Sequence, residues 1–161
     1  MRGMHLTVKI PEQKLYLYND SNQLIQHYSV STSCYGVGEG RGSNQTPRGK
    51  HIIRAKIGAG ASLNTVFVGR RPTGEIYSEA LAKQYPERDW ILTRILWLSG
   101  CEKGLNRLGE VDTMRRYIYI HGTADESTMG TPKSHGCIRM RNLDIAKLFD
   151  LVNVGTGVEI S

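Results

Sequence analysis

Cysteine is scarce in this chain, with three among 161 residues: Cys34, Cys101 and Cys137. An odd number leaves at least one thiol without an intramolecular partner, so a disulfide framework that uses every cysteine is excluded. No C-x-x-C and no H-x-x-x-H occurs, which removes the spacings that most zinc sites use. No apolar run approaches the ~20 residues that span a bilayer. No G-x-x-x-x-G-K-[ST] follows a strand pattern, so the glycines at 36, 38, 40 and 42 read as an ordinary flexible loop rather than a phosphate cradle. Internal repeats, linkers and low-complexity tracts are also missing. Met1-Arg2-Gly3-Met4 leads directly into a strand pattern, so no secretory signal is visible. A cytoplasmic protein, a signal removed beforehand and another export route all stay open.

What is present describes an ordinary globular chain of one domain, 1–161, with 39% apolar and 22% charged residues. The net charge of +6 favours acidic partners. The cations are scattered, with only Arg70-Arg71 and Arg115-Arg116 adjacent, and no basic stripe interleaved with aromatics marks a nucleic-acid surface. A carboxylate-bearing polymer fits a diffuse positive charge equally well.

Eighteen glycines point to a chain rich in strands and loops. His5–Ile10 and Lys14–Tyr18 alternate apolar and polar, with Pro11-Glu12-Gln13 as the turn between them. Asn19–Asn22 makes a second turn and Leu24–Val30 a third strand, so the chain opens as an antiparallel meander. His51–Ile57, Leu63–Gly69 and Trp90–Leu98 read as further strands, and Ser78–Gln84 as a short helix ended by Pro86. Ser99–Asp112 is polar and glycine-bearing, a solvated connector on its composition. Asn142–Val152 is the clearest helix: Ile145, Leu148, Phe149 and Val152 form its stripe, Asn142 is placed to cap it, and Asp144 sits in the first turn. Gly155 and Gly157 end it before a last strand, Val158–Ile160.

The chemistry concentrates between Tyr117 and Asn142. Tyr117–Ile120 reads as a buried strand that delivers His121 at its end, and Ser134-His135-Gly136-Cys137 follows after a polar loop. A thiol needs a neighbouring base to act as a nucleophile at neutral pH. Two imidazoles and one thiol that bracket a single loop meet that need. The same residues admit a zinc set of His121, His135, Cys137 and one further cysteine, although the His-x-Cys spacing favours catalysis. Cys34 and Cys101 read as free, inert core residues in preference to a bridged pair.

His121-Gly122-Thr123 followed by Ser134-His135-Gly136-Cys137-Ile138-Arg139 resembles the signature of the L,D-transpeptidase catalytic domain, the YkuD family. Thr46-Pro47-Arg48-Gly49 resembles the turn that precedes a core strand in that family. The resemblance implies a mainly β fold, a curved β-sandwich of mixed sheets with one helix near the C-terminus. It implies work on peptidoglycan stem peptides, with a donor tetrapeptide and an amine acceptor, in the cell envelope or periplasm. It makes Cys137 the nucleophile that forms a thioester and His121 the general base, with its ring oriented by the carbonyl of Gly122. The N–H groups of Gly136 and Cys137 become oxyanion donors, and His135 shapes the turn and the local potential. Arg139 binds a substrate carboxylate or anchors the loop, Tyr119 and Ser134 line the pocket, and the family's layout makes Ser99–Asp112 a substrate-facing loop as readily as a connector. No cofactor and no metal are expected. Water and an amine resolve the same acyl-enzyme, so an L,D-carboxypeptidase or amidase is the enzymatic alternative. A non-catalytic cell-wall binding module is the alternative from another class.

Overall fold

The computed structural model describes residues 3–161; residues 1 and 2, part of the N-terminal stretch read for a signal, lie outside them. The opening meander forms as β1 (His5–Lys9), β2 (Lys14–Tyr18) and β3 (Leu24–Ser31), paired antiparallel in that order. The turn between β1 and β2 holds Gln13 at φ 50, left-handed, where the chain reverses. β4 (Gly49–Ile57) follows the glycine-rich loop. The stretch read as one strand from Leu63 is instead a hairpin, β5 (Thr65–Val68) and β6 (Arg71–Ile76), turning at Gly69-Arg70 with both residues at positive φ. A short helix, α1 (Glu79–Gln84), is capped by the Ser78 hydroxyl on the Leu81 N–H. β7 (Ile91–Gly100) is the longest strand.

β8 spans Tyr119–Gly122, two residues later than the sequence pattern places it, because Tyr117 takes a left-handed φ of 56. β9 (Ile138–Met140) is a strand the sequence reading did not separate from the motif around it. α2 runs Asn142–Leu151 and β10 runs Gly157–Ile160. Asn142 does not cap α2: Arg141 occupies the cap position without a side-chain bond, and the Glu126 carboxylate takes the Asn142 N–H at 2.7 Å.

Mainly β with one principal helix holds, but the sandwich gives way to a single sheet. The strands pair in the order β4-β10-β1-β2-β3-β9-β8-β7, and β7 pairs back to β4, so eight strands close on themselves. Closure comes from the length of β7: Leu92 and Ile91 pair with β5, while Ile95 to Gly100 pair with β4 along the same edge. Two pairings are parallel, β1 with β10 and β8 with β9.

Strand alternation sorts side chains to two faces. Leu6, Val8, Leu15, Leu17, Val30, Leu96, Leu98, Ile120, Ile138, Met140, Val158 and Ile160 form one core, joined by Ile145, Leu148, Phe149 and Val152 of α2. The alternate residues of β7 and β8, Ile95 and Tyr119, form a second core with Phe67 of the hairpin, and Trp97 and Cys137 pack against it. No helix among the described residues is long and apolar enough to cross a membrane. Cys34 and Cys101 are neither bridged nor buried. Each follows the end of a strand, β3 or β7, where the chain leaves the sheet for an exposed loop.

Candidate active site

β8 and β9 run parallel, with Ile120 opposite Ile138, His121 opposite Arg139 and Gly122 opposite Met140. Ile120, Ile138 and Met140 face the main core. Period-two alternation therefore turns Tyr119, His121 and Arg139 to the other face, and Cys137, one residue before β9, joins them. Strand spacing and rise put the Cα atoms of Cys137 and His121 roughly 8 Å apart, which an imidazole and a thiol span between them. Two short strands thus bring together residues separated by a 15-residue stretch, 122–136.

The His121 ring is buried, and its Nδ1 lies 2.6 Å from the Gly122 carbonyl. A carbonyl only accepts, so Nδ1 carries the proton and Nε2 keeps its lone pair. Burial holds the His121 pKa below the ordinary imidazole value, so the ring is neutral at neutral pH. Burial also pushes the Cys137 thiol up to about 11, against the Tyr119 N–H that points at Sγ from 3.4 Å. At pH 7 only about one thiol in ten thousand would ionise unaided. The resting pair is thiol and imidazole, and deprotonation requires the base.

The remaining site candidates lie in different surroundings. His135 is exposed, its ring tilted against Tyr35 at 6.3 Å, and the cations that lower the thiol pKa are Arg139 and Arg116 instead. Among the described residues no three His, Cys, Asp or Glu side chains gather as a metal would require, so His121, His135 and Cys137 do not converge as a zinc set. The Gly136 N–H is taken by Ser134 Oγ at 3.2 Å, which withdraws it as an oxyanion donor; the Cys137 N–H has no acceptor among the described residues. Ser134 is buried and donates its hydroxyl to the Cys137 carbonyl at 2.5 Å, so it braces the turn rather than lining a pocket. Tyr119 is buried too, its hydroxyl accepting from Arg70 at 3.0 Å and its ring edge-on to Trp97. Both hydroxyls contact the protein itself, a placement the motif does not encode because it gives no hint of where Arg70 or the loop backbone will fall. Arg139 pairs with Asp89 at 3.1 Å and is the more buried partner.

Several residues of the site carry no signal in the motif. Thr46 Oγ1 donates to the Gly136 carbonyl at 3.0 Å and accepts from the Ser33 N–H at 3.0 Å, so the Thr-Pro-Arg-Gly turn clamps the nucleophile loop. Thr93, buried and β-branched, sits at φ 74 in a bulge of β7 and donates to Asn142 Oδ1 at 2.6 Å. Asn142 Nδ2 in turn donates to the Thr123 carbonyl at 2.8 Å. A Cβ on Gly122 would meet the Asn142 carboxamide and lie 2.6 Å from the Leu92 carbonyl, so only glycine fits beside the base. Tyr117 contributes its carbonyl, 3.5 Å from Cys137 Sγ. Of the segment Ser99–Asp112, Cys101–Asn106 packs onto the start of β4, with Asn106 buried and bonded to the Arg48 and Lys50 carbonyls. Gly109–Asp112 walls a cleft beside Tyr117.

A closed β-sheet that carries a thiol and a tautomer-fixed imidazole on one face of two parallel strands defines a cysteine–histidine site. The chain belongs to the YkuD family, the L,D-transpeptidase catalytic domain, whose family model matches residues 3–160. It is 50% identical over 44 residues to the probable L,D-transpeptidase YbiS of Escherichia coli K12, covering 27% of this chain and 14% of that protein. It is 46% identical over 46 residues to the putative L,D-transpeptidase YqjB of Bacillus subtilis 168, covering 29% and 26%. Its fold is similar to an L,D-transpeptidase from Mycobacterium smegmatis, TM-score 0.58 at 18% identity, covering 98% of this chain and 58% of that one. The L,D-transpeptidase LdtMt1, solved in complex with imipenem, gives TM-score 0.59 at 18% identity, covering 99% and 59%. The matched stretches thus take in 14% to 59% of these relatives, less than two thirds in each case.

Proposed function

We propose that this domain is a cysteine L,D-transpeptidase acting on peptidoglycan stem peptides through a thioester on Cys137. The observation that carries the reading is the His121 ring, pinned at Nδ1 by the Gly122 carbonyl and set on the same face as Cys137. The free Nε2 takes the thiol proton as Sγ bonds to the carbonyl carbon of the donor. The Cys137 N–H faces the oxyanion that forms. Collapse breaks the C–N bond, His121 returns the proton to the leaving amine, and the acyl group stays on sulfur. An acceptor amine then attacks the thioester, gives its proton to His121, and releases the thiol. The carbonyl replaces the carboxylate of a Ser-His-Asp triad, which suits a neutral resting pair because no buried negative charge is needed. Arg139, fixed by Asp89, presents a cation beside His121 for a donor carboxylate. The proposed place of action is the cell envelope.

Intact-protein mass spectrometry after mixing with a purified disaccharide-tetrapeptide tests this. The expected result is an adduct on the wild type, mapped to Cys137 and absent from Cys137→Ala. Imipenem, bound by one of the solved relatives, serves as a second acylating probe. Turnover of the tetrapeptide by Cys137→Ala would overturn the mechanism. An added stem-peptide amine separates crosslinking from hydrolysis.

A further inference from the structure

β1 and β2 turn Leu6, Val8, Leu15 and Leu17 into the main core, so their alternate residues face outward. In the closed sheet β1 stands four strands from β8 in either direction, so this outer face lies across the molecule from Cys137 and His121. It carries a strip of rings. His5 stacks on Tyr18 with centroids 5.1 Å apart and planes within 15°. Tyr18 lies 6.4 Å from Tyr16, and Tyr16 lies 6.0 Å from His27 of β3. The register is the reason: His5 pairs with Tyr18 and Tyr16 with His27, while the two tyrosines alternate along one strand. The Tyr16 hydroxyl donates to the Glu12 carboxylate, and the Lys9 ammonium sits 5.3 Å from the Tyr16 ring centroid, so the strip is held in place before anything binds.

Each end of the strip opens into a hollow. At His5 the hollow is about 330 Å³, walled by Lys50, Ile52, Cys101 and Glu159. It exists because Gly157, which lies between His5 of β1 and Ile52 of β4, has no side chain to fill it. At His27 a second hollow of about 280 Å³ is polar, walled by Gln26, Ser29, Arg141, Asp144 and Lys147. A line of rings that joins two hollows fits a linear polymer.

The mix of side chains decides which polymer. Thr7, Lys9, Lys14 and Ser29 stand among the rings, so hydrogen-bonding groups alternate with apolar area. Protein interfaces deplete lysine and glutamate at their centre, whereas Lys9, Lys14, Lys50 and Glu159 lie on or beside this strip. A nucleic acid calls for clustered cations, and here Glu12, Asp144 and Glu159 are interspersed with them. A pyranose ring has the matching duality: a C–H face that packs on an aromatic ring, and a rim of hydroxyls that bond to ammonium, hydroxyl and carboxylate groups. Tyrosine pairs an apolar body with a polar tip in the same way. The hollow at Gly157, with Ile52 and Cys101 in its wall, suits the methyl of an acetamido group. We propose that the outer face of β1, β2 and β3 binds the glycan strand of peptidoglycan, its N-acetylated sugars lying along His5, Tyr18, Tyr16 and His27 with an acetamido group in the Gly157 hollow. The identity of the polymer rests on the transpeptidase reading, to which this adds a second site. An enzyme docked by this face on one strand leaves the Cys137 face open to the stem peptides of a neighbouring strand.

The probe is immobilised glycan strands freed of their stem peptides by an amidase, with binding read by interferometry. The wild type is expected to bind saturably. Tyr16→Ala combined with Tyr18→Ala is expected to weaken binding about tenfold or more, because two stacking surfaces are lost. Gly157→Val is expected to weaken it as well. A Cβ at this position meets nothing within 4 Å, so the variant fills the hollow without disturbing the sheet. Cys137→Ala, across the molecule, is expected to bind as the wild type does. Acylation of Cys137 by the soluble disaccharide-tetrapeptide is expected to keep its wild-type rate in the tyrosine and Gly157 variants, which also reports that they are folded. A wild type that ignores stem-free strands, or binding that survives both sets of substitutions, would overturn the glycan site while leaving the transpeptidase reading standing. A dimer in sedimentation velocity that Gly157→Val dissolves would give the face to a second copy and overturn it too. Intact binding with no adduct on Cys137 would overturn the transpeptidase reading alone.

Discussion

At the scale of single residues, the base is held by a chain of contacts that begins two side chains away. His121 donates to the Gly122 carbonyl, and Gly122 is confined between the Asn142 carboxamide and the Leu92 carbonyl. Asn142 is oriented by Thr93, whose φ of 74 is unusual for a β-branched residue and costs of order 1–3 kcal/mol. Strain at this position is offset by what the hydroxyl does: it donates to Asn142 and accepts the Asn64 N–H at 3.0 Å. Gly122→Ala drives a methyl into backbone and carboxamide, so we expect the carbonyl under His121 to shift and acylation to fall by ~100-fold, the scale of a misplacement of about 1 Å. Thr93→Val keeps the shape and removes the hydroxyl, leaving the Asn142 oxygen and the Asn64 N–H without their partner. The expected cost is about 1–3 kcal/mol in denaturant unfolding. Nitrogen NMR of the His121 ring separates the two effects: Gly122→Ala should disturb the Nδ1–H tautomer, and a ring that stays in that tautomer with full acylation would remove Gly122 from the account.

At the scale of elements, two short strands and a turn do the positioning. The parallel pairing of β8 with β9 sets His121 and Cys137 on one face, and the Thr46 turn holds the loop that leads into β9. Thr46→Val breaks both bonds of that clamp at a fully buried site, so about 1–3 kcal/mol of stability and roughly tenfold in acylation rate should be lost, with Thr46→Ser largely restoring both. A Thr46→Val enzyme as active and as stable as the wild type would show that the clamp does not position the loop. Much of this level was readable in advance. Alternation in β1 and β2 is regular because each buries one face, and the stripe of α2 is equally plain. Cys137, His121 and Gly122 stand out in the sequence because their types and order are specific, and the structure sets the first two on one face with the Gly122 carbonyl on the His121 ring. The β5–β6 hairpin was not, because Pro72 and Gly74 interrupt its second strand and all but one of its residues are exposed. β9 was hidden because a three-residue strand has no measurable period. The Asn142 cap failed because its side chain is claimed by Thr93 and Thr123, contacts between distant parts of the chain that no local pattern encodes. The same holds for the Arg70 bond to Tyr119 and the Arg139 pair with Asp89.

At the scale of the whole molecule, closure of the sheet depends on β4, which pairs with β10 on one side and β7 on the other. His51 sits in that strand, fully buried, with Nδ1 bonded to the Gly49 carbonyl at 3.0 Å and Nε2 to the Thr113 hydroxyl at 2.9 Å. The carbonyl fixes the proton on Nδ1, so Nε2 accepts from Thr113, and the ring is neutral by construction. Burial lowers its pKa to about 4, from an ordinary value of 6.5. Above pH 6.5 the imidazole is uncharged in the folded and unfolded chains alike and gives no slope. Between pH 6.5 and about 4 the unfolded chain binds a proton that the folded chain refuses, so acid favours unfolding and stability falls as pH falls. Below about 4 both forms are protonated and the slope ends. The full difference is about 3 kcal/mol for this one group. Carboxylates held low by their partners, such as Glu39 through its hydrogen bonds to Arg48, lose their contribution only below the ordinary carboxylate range, so the window from pH 6.5 to 5 belongs to the buried histidines. His121 is the other one, and its lowered pKa adds a slope of the same sign. Urea unfolding of the wild type across this window should therefore show a steady decline that His51→Gln reduces and that His51→Gln with His121→Gln nearly abolishes. A wild-type curve flat from pH 6.5 to 5, or a decline that both substitutions leave intact, would mean that these rings accept protons without loosening the closed sheet.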